Sequence, residues 1–294
     1  MKIGFIGLGV MGRPMALNLM KHGHEMGVYS RRDESAAPLL AAGARRYASP
    51  AELAAEADIV FTMVTNSGDV EEIVLAGNGV IHGARRNTAL VDMETISPAV
   101  ARSVAQALAA KGIDMLDAPV SGGPAGAQAA TLSIMVGGKA SVFERVQPLF
   151  AHLGKTIVHM GDHGAGQTTK ACNQLALLVA AQGAAEALAL ARASGIDPSK
   201  VREVLLGGVA ASRVLELFGK RMVERDFAAG IEARLYHKDL DIVLELAHGL
   251  GQGLPAAGVV MQQINALMGQ GRGGDDLSTL ITVIEALGRS DEKR

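Results

Sequence analysis

Two groups of residues could do chemistry together, judged by their types and spacing. Lys170 and Asn173 stand three apart in an Ala/Leu-rich helical stretch, so they share one face, and Gln174 follows at i+4. A lysine withdrawn from water loses part of its proton affinity and can exchange a proton with a reacting oxygen; Asn173 can orient a substrate hydroxyl. For a lysine seen alone, a solvated surface charge is the ordinary reading. The second group is Ser121-Gly122-Gly123, inside Asp117-Ala118-Pro119-Val120-Ser121-Gly122-Gly123-Pro124. Its successive N–H groups can form a nest for a carboxylate, with the Ser121 hydroxyl as a further donor. A purely structural turn would use the same two glycines.

Near the start, Gly7-Leu8-Gly9-Val10-Met11-Gly12 follows an apolar run and precedes a helical pattern. In that strand–turn–helix context each glycine has its own part. Gly7 allows the tight turn, Gly9 the close approach of a pyrophosphate, and Gly12 the packing of helix on strand. The helix N-terminus supplies free N–H groups for phosphates. A plain tight turn is the alternative. At the end of the next strand, where an acidic residue would bind the ribose 2′-hydroxyl of NAD, stand Ser30, Arg31 and Arg32. A hydroxyl and two guanidinium groups suit a 2′-phosphate, which favours NADP over NAD. The bland alternative is a solvated pair at a helix entry, partly neutralised by Asp33.

The elements that must position these residues alternate through the first part of the chain. Strand-like runs at 2–6, 25–29, 58–64, 89–93, 113–118, 132–136 and 156–160 interleave with helical segments, which implies a parallel sheet covered on both faces. From about Gln167 to Ser194 runs one long helix, stopped by Gly195 and Pro198, and helices follow at 199–206, 212–225, 235–250, 256–270 and 277–288. The expected fold is an α/β Rossmann-type N-terminal domain, residues 1–162, and an all-α C-terminal domain, residues 163–294, joined by a long interdomain helix. Lys170 then lies near the boundary of the halves, where a cleft is expected.

Composition narrows the classes. Lys plus Arg number 28 against 30 Asp plus Glu, and Trp is absent, so neither a basic surface nor a stacking platform points to nucleic acid. One cysteine, Cys172, allows no internal disulfide or paired-cysteine zinc site, and it reads as a small packed side chain. His22 and His24 sit in a turn without a carboxylate–His cluster, so no metal is expected. The glycine-studded start does not fit a signal peptide, and the apolar run 175–191 carries Gln182 and Glu186, fitting a buried helix better than a membrane span. A cytoplasmic protein without membrane association is expected.

Four separated motifs carry a family resemblance: GLGVMGRPM at 7–15, DAPVSGGPAGA at 117–127, GDHGAGQTTKACNQ at 161–174 and HKDLDIVLELA at 237–247. Nearly end to end, the chain resembles the β-hydroxyacid dehydrogenase family, which includes 3-hydroxyisobutyrate dehydrogenase and tartronate semialdehyde reductase. The tail from His248 to Leu280 most resembles the latter group. The resemblance implies an NAD(P)-dependent oxidoreductase, with Lys170 catalytic and Asn173 orienting the substrate. It implies Ser121, Gly122 and Gly123 at the substrate carboxylate, and Thr95 close to both cofactor and substrate. Lys238 would reach the cofactor, and Met63 and Val64 would line it. Asp239 is either part of the same closing segment or an ordinary helix charge. The expected substrate is a small carboxylate-bearing aldehyde or hydroxy acid, most readily tartronate semialdehyde, with 3-hydroxyisobutyrate and succinic semialdehyde or glyoxylate as alternatives. Homodimers or homotetramers are implied. Two positions depart from the family pattern: Glu94 replaces a small residue before Thr95, and Val64-Thr65-Asn66 replaces a Leu-Pro-Asp-like turn. Imine reductases resemble the family without its lysine, a 6-phosphogluconate dehydrogenase needs a larger helical half, and a non-catalytic NADP-binding sensor would have no use for Lys170.

Overall fold

The computed structural model describes residues 1–288. Contacts divide the chain into two compact units, Met1–Lys170 and the part from Ala171 onward.

In the first unit the strands are β1 (Lys2–Ile6), β2 (Glu25–Tyr29), β3 (Arg45–Arg46), β4 (Ile59–Thr62), β5 (Ala89–Asp92), β6 (Asp114–Asp117), β7 (Val120–Ser121), β8 (Leu132–Gly138) and β9 (Gly154–Gly161). They form one sheet in the order β3-β2-β1-β4-β5-β6-β8-β7, with β9 on the other side of β8. Pairing from β3 through β6 is parallel. The expectation of a parallel sheet needs one correction, because β8 runs antiparallel to β6 and β7 and parallel to β9. Around and between them lie α1 (Gly12–Lys21), α2 (Asp33–Ala41), α3 (Pro50–Glu56), α4 (Ser67–Leu75), α5 (Val80–Gly83), α6 (Pro98–Ala109), α7 (Gly123–Ala129) and α8 (Ala140–Phe150).

Strand alternation sorts the core onto the two faces of the sheet. Ile3, Phe5, Ile59, Phe61, Ala89 and Val91 belong to one apolar cluster, and Ile6, Val60, Leu90 and Met115 belong to the other. A strand buried on both faces needs apolar residues at every position, which is why these runs read as continuous. At the carboxyl ends the pattern breaks while burial continues. There Thr62, Asp92 and Asp117 stand in register across β4, β5 and β6, all buried.

The second unit is helical: α9 (Ala165–Ala193) leads into it, followed by α10 (Pro198–Leu206), α11 (Arg213–Glu224), α12 (Ala233–Gly249), α13 (Pro255–Gly269), a 3-10 turn at Leu277–Thr279 and α14 (Leu280–Ala286). The helix expected at 277–288 therefore opens as a 3-10 turn, where the Asp276 side chain accepts the Ser278 N–H. By length and composition α9 could cross a membrane, yet Leu178, Ala181, Ala185 and Leu188 along it are buried in the core of the unit.

Candidate active site

The loop after β1 is tight at both ends and open in the middle. Gly7 has φ +93°, and a Cβ there would stand 2.3 Å from the Met63 carbonyl oxygen. A Cβ on Gly12 would stand 1.9 Å from the Gly7 carbonyl oxygen, so α1 packs directly on the turn. Around Gly9 no heavy atom lies within 4 Å of that point. This is the space a pyrophosphate needs at a helix N-terminus, and the residues fit a bound dinucleotide. Leu8 is buried, Met11 half-buried and Val10 exposed.

At the end of β2 the Ser30 hydroxyl donates to the Arg32 carbonyl at 2.7 Å. The Arg31 guanidinium reaches across to Asp69 at 3.1 Å. Asp33 pairs with Arg46 instead of neutralising Arg31 or Arg32, which corrects the sequence expectation. The hydrogen bond and charge of Arg46 hold the Asp33 carboxyl below its usual range. Beyond β4, Met63 and Val64 are half-buried. The departure at Thr65-Asn66 has a local reason: the Asn66 side chain accepts the Asp69 N–H at 2.9 Å and caps α4.

The carboxyl ends of β5 and β6 carry the next group. Glu94 is buried and Thr95 half-buried. The buried Gln167 side chain brackets Thr95: its Nε2 donates to the Glu94 carbonyl at 2.7 Å, and its Oε1 accepts the Ile96 N–H at 3.1 Å. The Asp117 carboxylate accepts the Gly164 N–H at 2.8 Å and the Gln167 N–H at 3.0 Å. Burial pushes the Asp117 carboxyl up, and those N–H groups pull it back. One turn beyond Gln167, Lys170 is buried, unlike an ordinary solvated lysine. Ser121 lies on β7 opposite Ser133, and Gly122 (φ +136°) and Gly123 (φ +62°) turn the chain into α7 with a backbone only glycine adopts readily.

In the second unit a chain of side chains reaches Lys238. Asn173, one turn along α9 from Lys170, donates to Gln174 Oε1 at 2.7 Å. Gln174 Nε2 donates to Asp239 Oδ2 at 2.5 Å, and Lys238 Nζ lies 3.1 Å from Asp239 Oδ1. Asp239 is buried, so it is no ordinary helix charge. Burial pushes the nearby Tyr236 hydroxyl far up, with the Asp276 and Asp239 charges adding to it. Cys172 is exposed, contrary to the packed position expected of it.

No motif in the sequence assigns a role to the side chain of Gln167 or of Asp117. Asp117 had one legible signal, an acidic residue closing an apolar strand, whereas nothing local distinguishes Gln167. Among the described residues no group of three His, Cys, Asp or Glu is placed to hold a metal ion.

Residues 2–161 match the family described as the NAD binding domain of 6-phosphogluconate dehydrogenase. Residues 164–284 match the NAD-binding family of NADP-dependent 3-hydroxyisobutyrate dehydrogenase. Over 287 residues the chain is 41% identical to 2-hydroxy-3-oxopropionate reductase of Escherichia coli, covering 98% of each. The chain belongs to the β-hydroxyacid dehydrogenase family. The enzyme is also 38% identical over 260 residues to 3-hydroxyisobutyrate dehydrogenase of Pseudomonas aeruginosa, covering 86% of this chain and 87% of that one. The solved 3-hydroxyisobutyrate dehydrogenase of Mycobacterium tuberculosis with L-serine superposes with a TM-score of 0.88 at 32% identity, over 96% of this chain and 98% of that one. The enzyme is an oxidoreductase of the 3-hydroxyisobutyrate dehydrogenase and tartronate semialdehyde reductase type, and it uses a nicotinamide cofactor.

Proposed function

We propose that the enzyme reduces tartronate semialdehyde to glycerate and prefers NADPH to NADH. The supporting observation is the 41% identity, across 98% of both chains, to the Escherichia coli 2-hydroxy-3-oxopropionate reductase. When bound, the reduced nicotinamide supplies a hydride for the aldehyde carbon. Protonated Lys170 gives its proton to the aldehyde oxygen, which becomes the new hydroxyl, and Asn173 orients that oxygen. The N–H groups of Ser121, Gly122 and Gly123, with the Ser121 hydroxyl, hold the substrate carboxylate and so fix the distance of the carbonyl from Lys170. Such positioning contributes on the order of 7 kcal/mol or more in favourable cases, and a proton donor roughly 10²- to 10⁴-fold in rate.

For the cofactor, residues Gly7 to Gly12 take the pyrophosphate, and Ser30, Arg31 and Arg32 take the 2′-phosphate. Met63, Val64, Thr95 and Lys238 complete its surroundings. On this reading residues 1–162 form the dinucleotide-binding domain, and 163–294 supply substrate contacts and the oligomer surface. Assembly as a homodimer or homotetramer in the cytoplasm belongs to the same reading, and the helical unit leaves the large apolar side chains of Leu190, Val204, Leu250 and Val259 exposed.

Oxidation of 3-hydroxyisobutyrate is the second reading, supported by the Pseudomonas aeruginosa relative. The test is oxidation of NADPH, then NADH, with tartronate, methylmalonate and succinic semialdehydes and glyoxylate. Fastest turnover of tartronate semialdehyde with NADPH is expected. Fastest turnover of methylmalonate semialdehyde would transfer the assignment to the second reading.

A further inference from the structure

We propose that Asp117 and Gln167 are positioning residues of the reaction: they seat the first turn of α9 so that Lys170 keeps a fixed register with Thr95 and the Ser121–Gly123 turn. The inference rests on the role proposed above for Lys170, and every contact it uses lies within the first unit.

A helix begins with four N–H groups that have no partner inside it. Around the start of α9, the Gly164 and Gln167 N–H groups go to the two oxygens of one carboxylate, Asp117, at 2.8 and 3.0 Å. A carboxylate accepts at both oxygens and donates at neither, so it gives each N–H group its own oxygen, where an amide of the same length would set its NH2 against one of them. Asp117 ends β6, and Ser121 stands four residues later in the same segment. The group that holds the helix is therefore tied through a few peptide bonds to the proposed carboxylate turn.

Gln167 supplies the second attachment. Its amide donates to the Glu94 carbonyl and accepts the Ile96 N–H, closing around the backbone on either side of Thr95. Such a bracket needs one donor and one acceptor in a single planar group, which glutamine has and an ionised glutamate lacks. Gln167 is buried, so water cannot replace either bond.

Little play remains between these attachments. A Cβ on Gly166 would stand 2.4 Å from the Asp117 carbonyl oxygen and 2.5 Å from that of Met135. Backbone therefore rests on backbone, with no side chain between to absorb a shift. Lys170 follows Gln167 by three residues on the same helix, so movement of the first turn moves Lys170 with it. A displacement of about 1 Å at a reacting group costs on the order of 10²-fold in rate.

The test compares the wild-type holoenzyme with Gln167→Met, Gln167→Glu, Asp117→Asn and, as reference, Lys170→Ala. Turnover is measured per cofactor-binding site, the sites being counted by fluorescence titration with NADPH. Gln167→Met is expected to lower kcat per site by roughly 10- to 100-fold and leave NADPH affinity within about threefold. Asp117→Asn keeps one acceptor oxygen and is expected to lose less. Gln167→Glu supplies a pH readout, taken per cofactor-binding site so that loss of folded protein at higher pH does not enter it. Its protonated carboxyl regains a donor, so its activity relative to wild type is expected to rise from about pH 7.5 to about pH 5, while that of Gln167→Met stays flat. Should Gln167→Met not fold, the two shape-preserving variants carry the test. Wild-type kcat per site in the Gln167 and Asp117 variants, with Lys170→Ala inactive, would overturn this inference alone. Undiminished turnover in Lys170→Ala would overturn the proposed role of Lys170 and this inference with it.

Discussion

Gln174 donates its side-chain amide to Asp239 across 2.5 Å, and both residues are buried. Through Asp239 the bond extends to Lys238 at 3.1 Å, so residues from α9 and α12 share one polar chain inside the helical unit. Buried polar groups of this kind matter most when one partner is removed. Asp239→Ala strips the acceptor from Gln174 and the counter-charge from Lys238. A loss of about 1–3 kcal/mol is expected, or roughly 2–10 °C in Tm, with Asp239→Asn intermediate because it keeps an acceptor. Melting curves for Asp239→Ala that superimpose on wild type would show that the chain contributes nothing to stability.

Gly9 and Gly12 are separable by substitution. A Cβ at Gly12 meets the Gly7 carbonyl at 1.9 Å, whereas one at Gly9 meets no heavy atom within 4 Å. Gly12→Ala is expected to cost about 1–3 kcal/mol of stability or more through overpacking. Gly9→Ala is expected to hold stability within about 0.5 kcal/mol and to weaken nicotinamide cofactor binding. Thermal melts alongside cofactor titrations distinguish the two, and full-affinity binding by Gly9→Ala would remove Gly9 from the pyrophosphate site.

Arg31 is oriented by Asp69 at 3.1 Å yet is still largely exposed, with 65% of its side chain accessible. If it binds a 2′-phosphate, Arg31→Ala lowers kcat/KM with NADPH by about tenfold, the low end for a charge-assisted bond on an exposed group. Activity with NADH should hardly change. An equal fall with both cofactors would assign Arg31 a structural role only.

At the surface of the first unit, His22 and His24 of one turn meet His152 from a distant segment. The His22 and His152 rings stack at 3.6 Å, and His24 lies 5.8 Å from His152 between ring centres. Burial first, then the chain amino terminus and His22, hold His24 below the ordinary value of 6.5. Burial, then His22 and His24, do the same to His152. With folded values depressed, the unfolded chain binds more protons through this range. The stabilisation is complete above about pH 6.5 and is lost as pH falls through the folded values. Tm should therefore fall between about pH 7.5 and pH 5.5, and less steeply for His152→Asn. Parallel curves for the two proteins would exclude the cluster as the source.

Much of this arrangement is written locally. Hydrophobic runs at successive positions identify β1, β4 and β5 because each is buried on both faces. The Gly7–Gly12 spacing and the one-turn spacing of Lys170 and Asn173 belong to single elements with a fixed period, and so they can be read before any folding. What only the tertiary structure decides depends on pairs far apart in the chain. The direction of β8 beside β6, Asp33 turning to Arg46 rather than Arg31, the exposure of Cys172, and His152 stacking on His22 have no local signature. The same holds for Gln167, which reaches 71 and 73 residues back to Ile96 and Glu94. A glutamine has no pattern that distinguishes a buried bracket from a solvated side chain. Its role is set by which backbone groups the fold leaves without partners in the same buried space, and that is known only once the strands and α9 are in place.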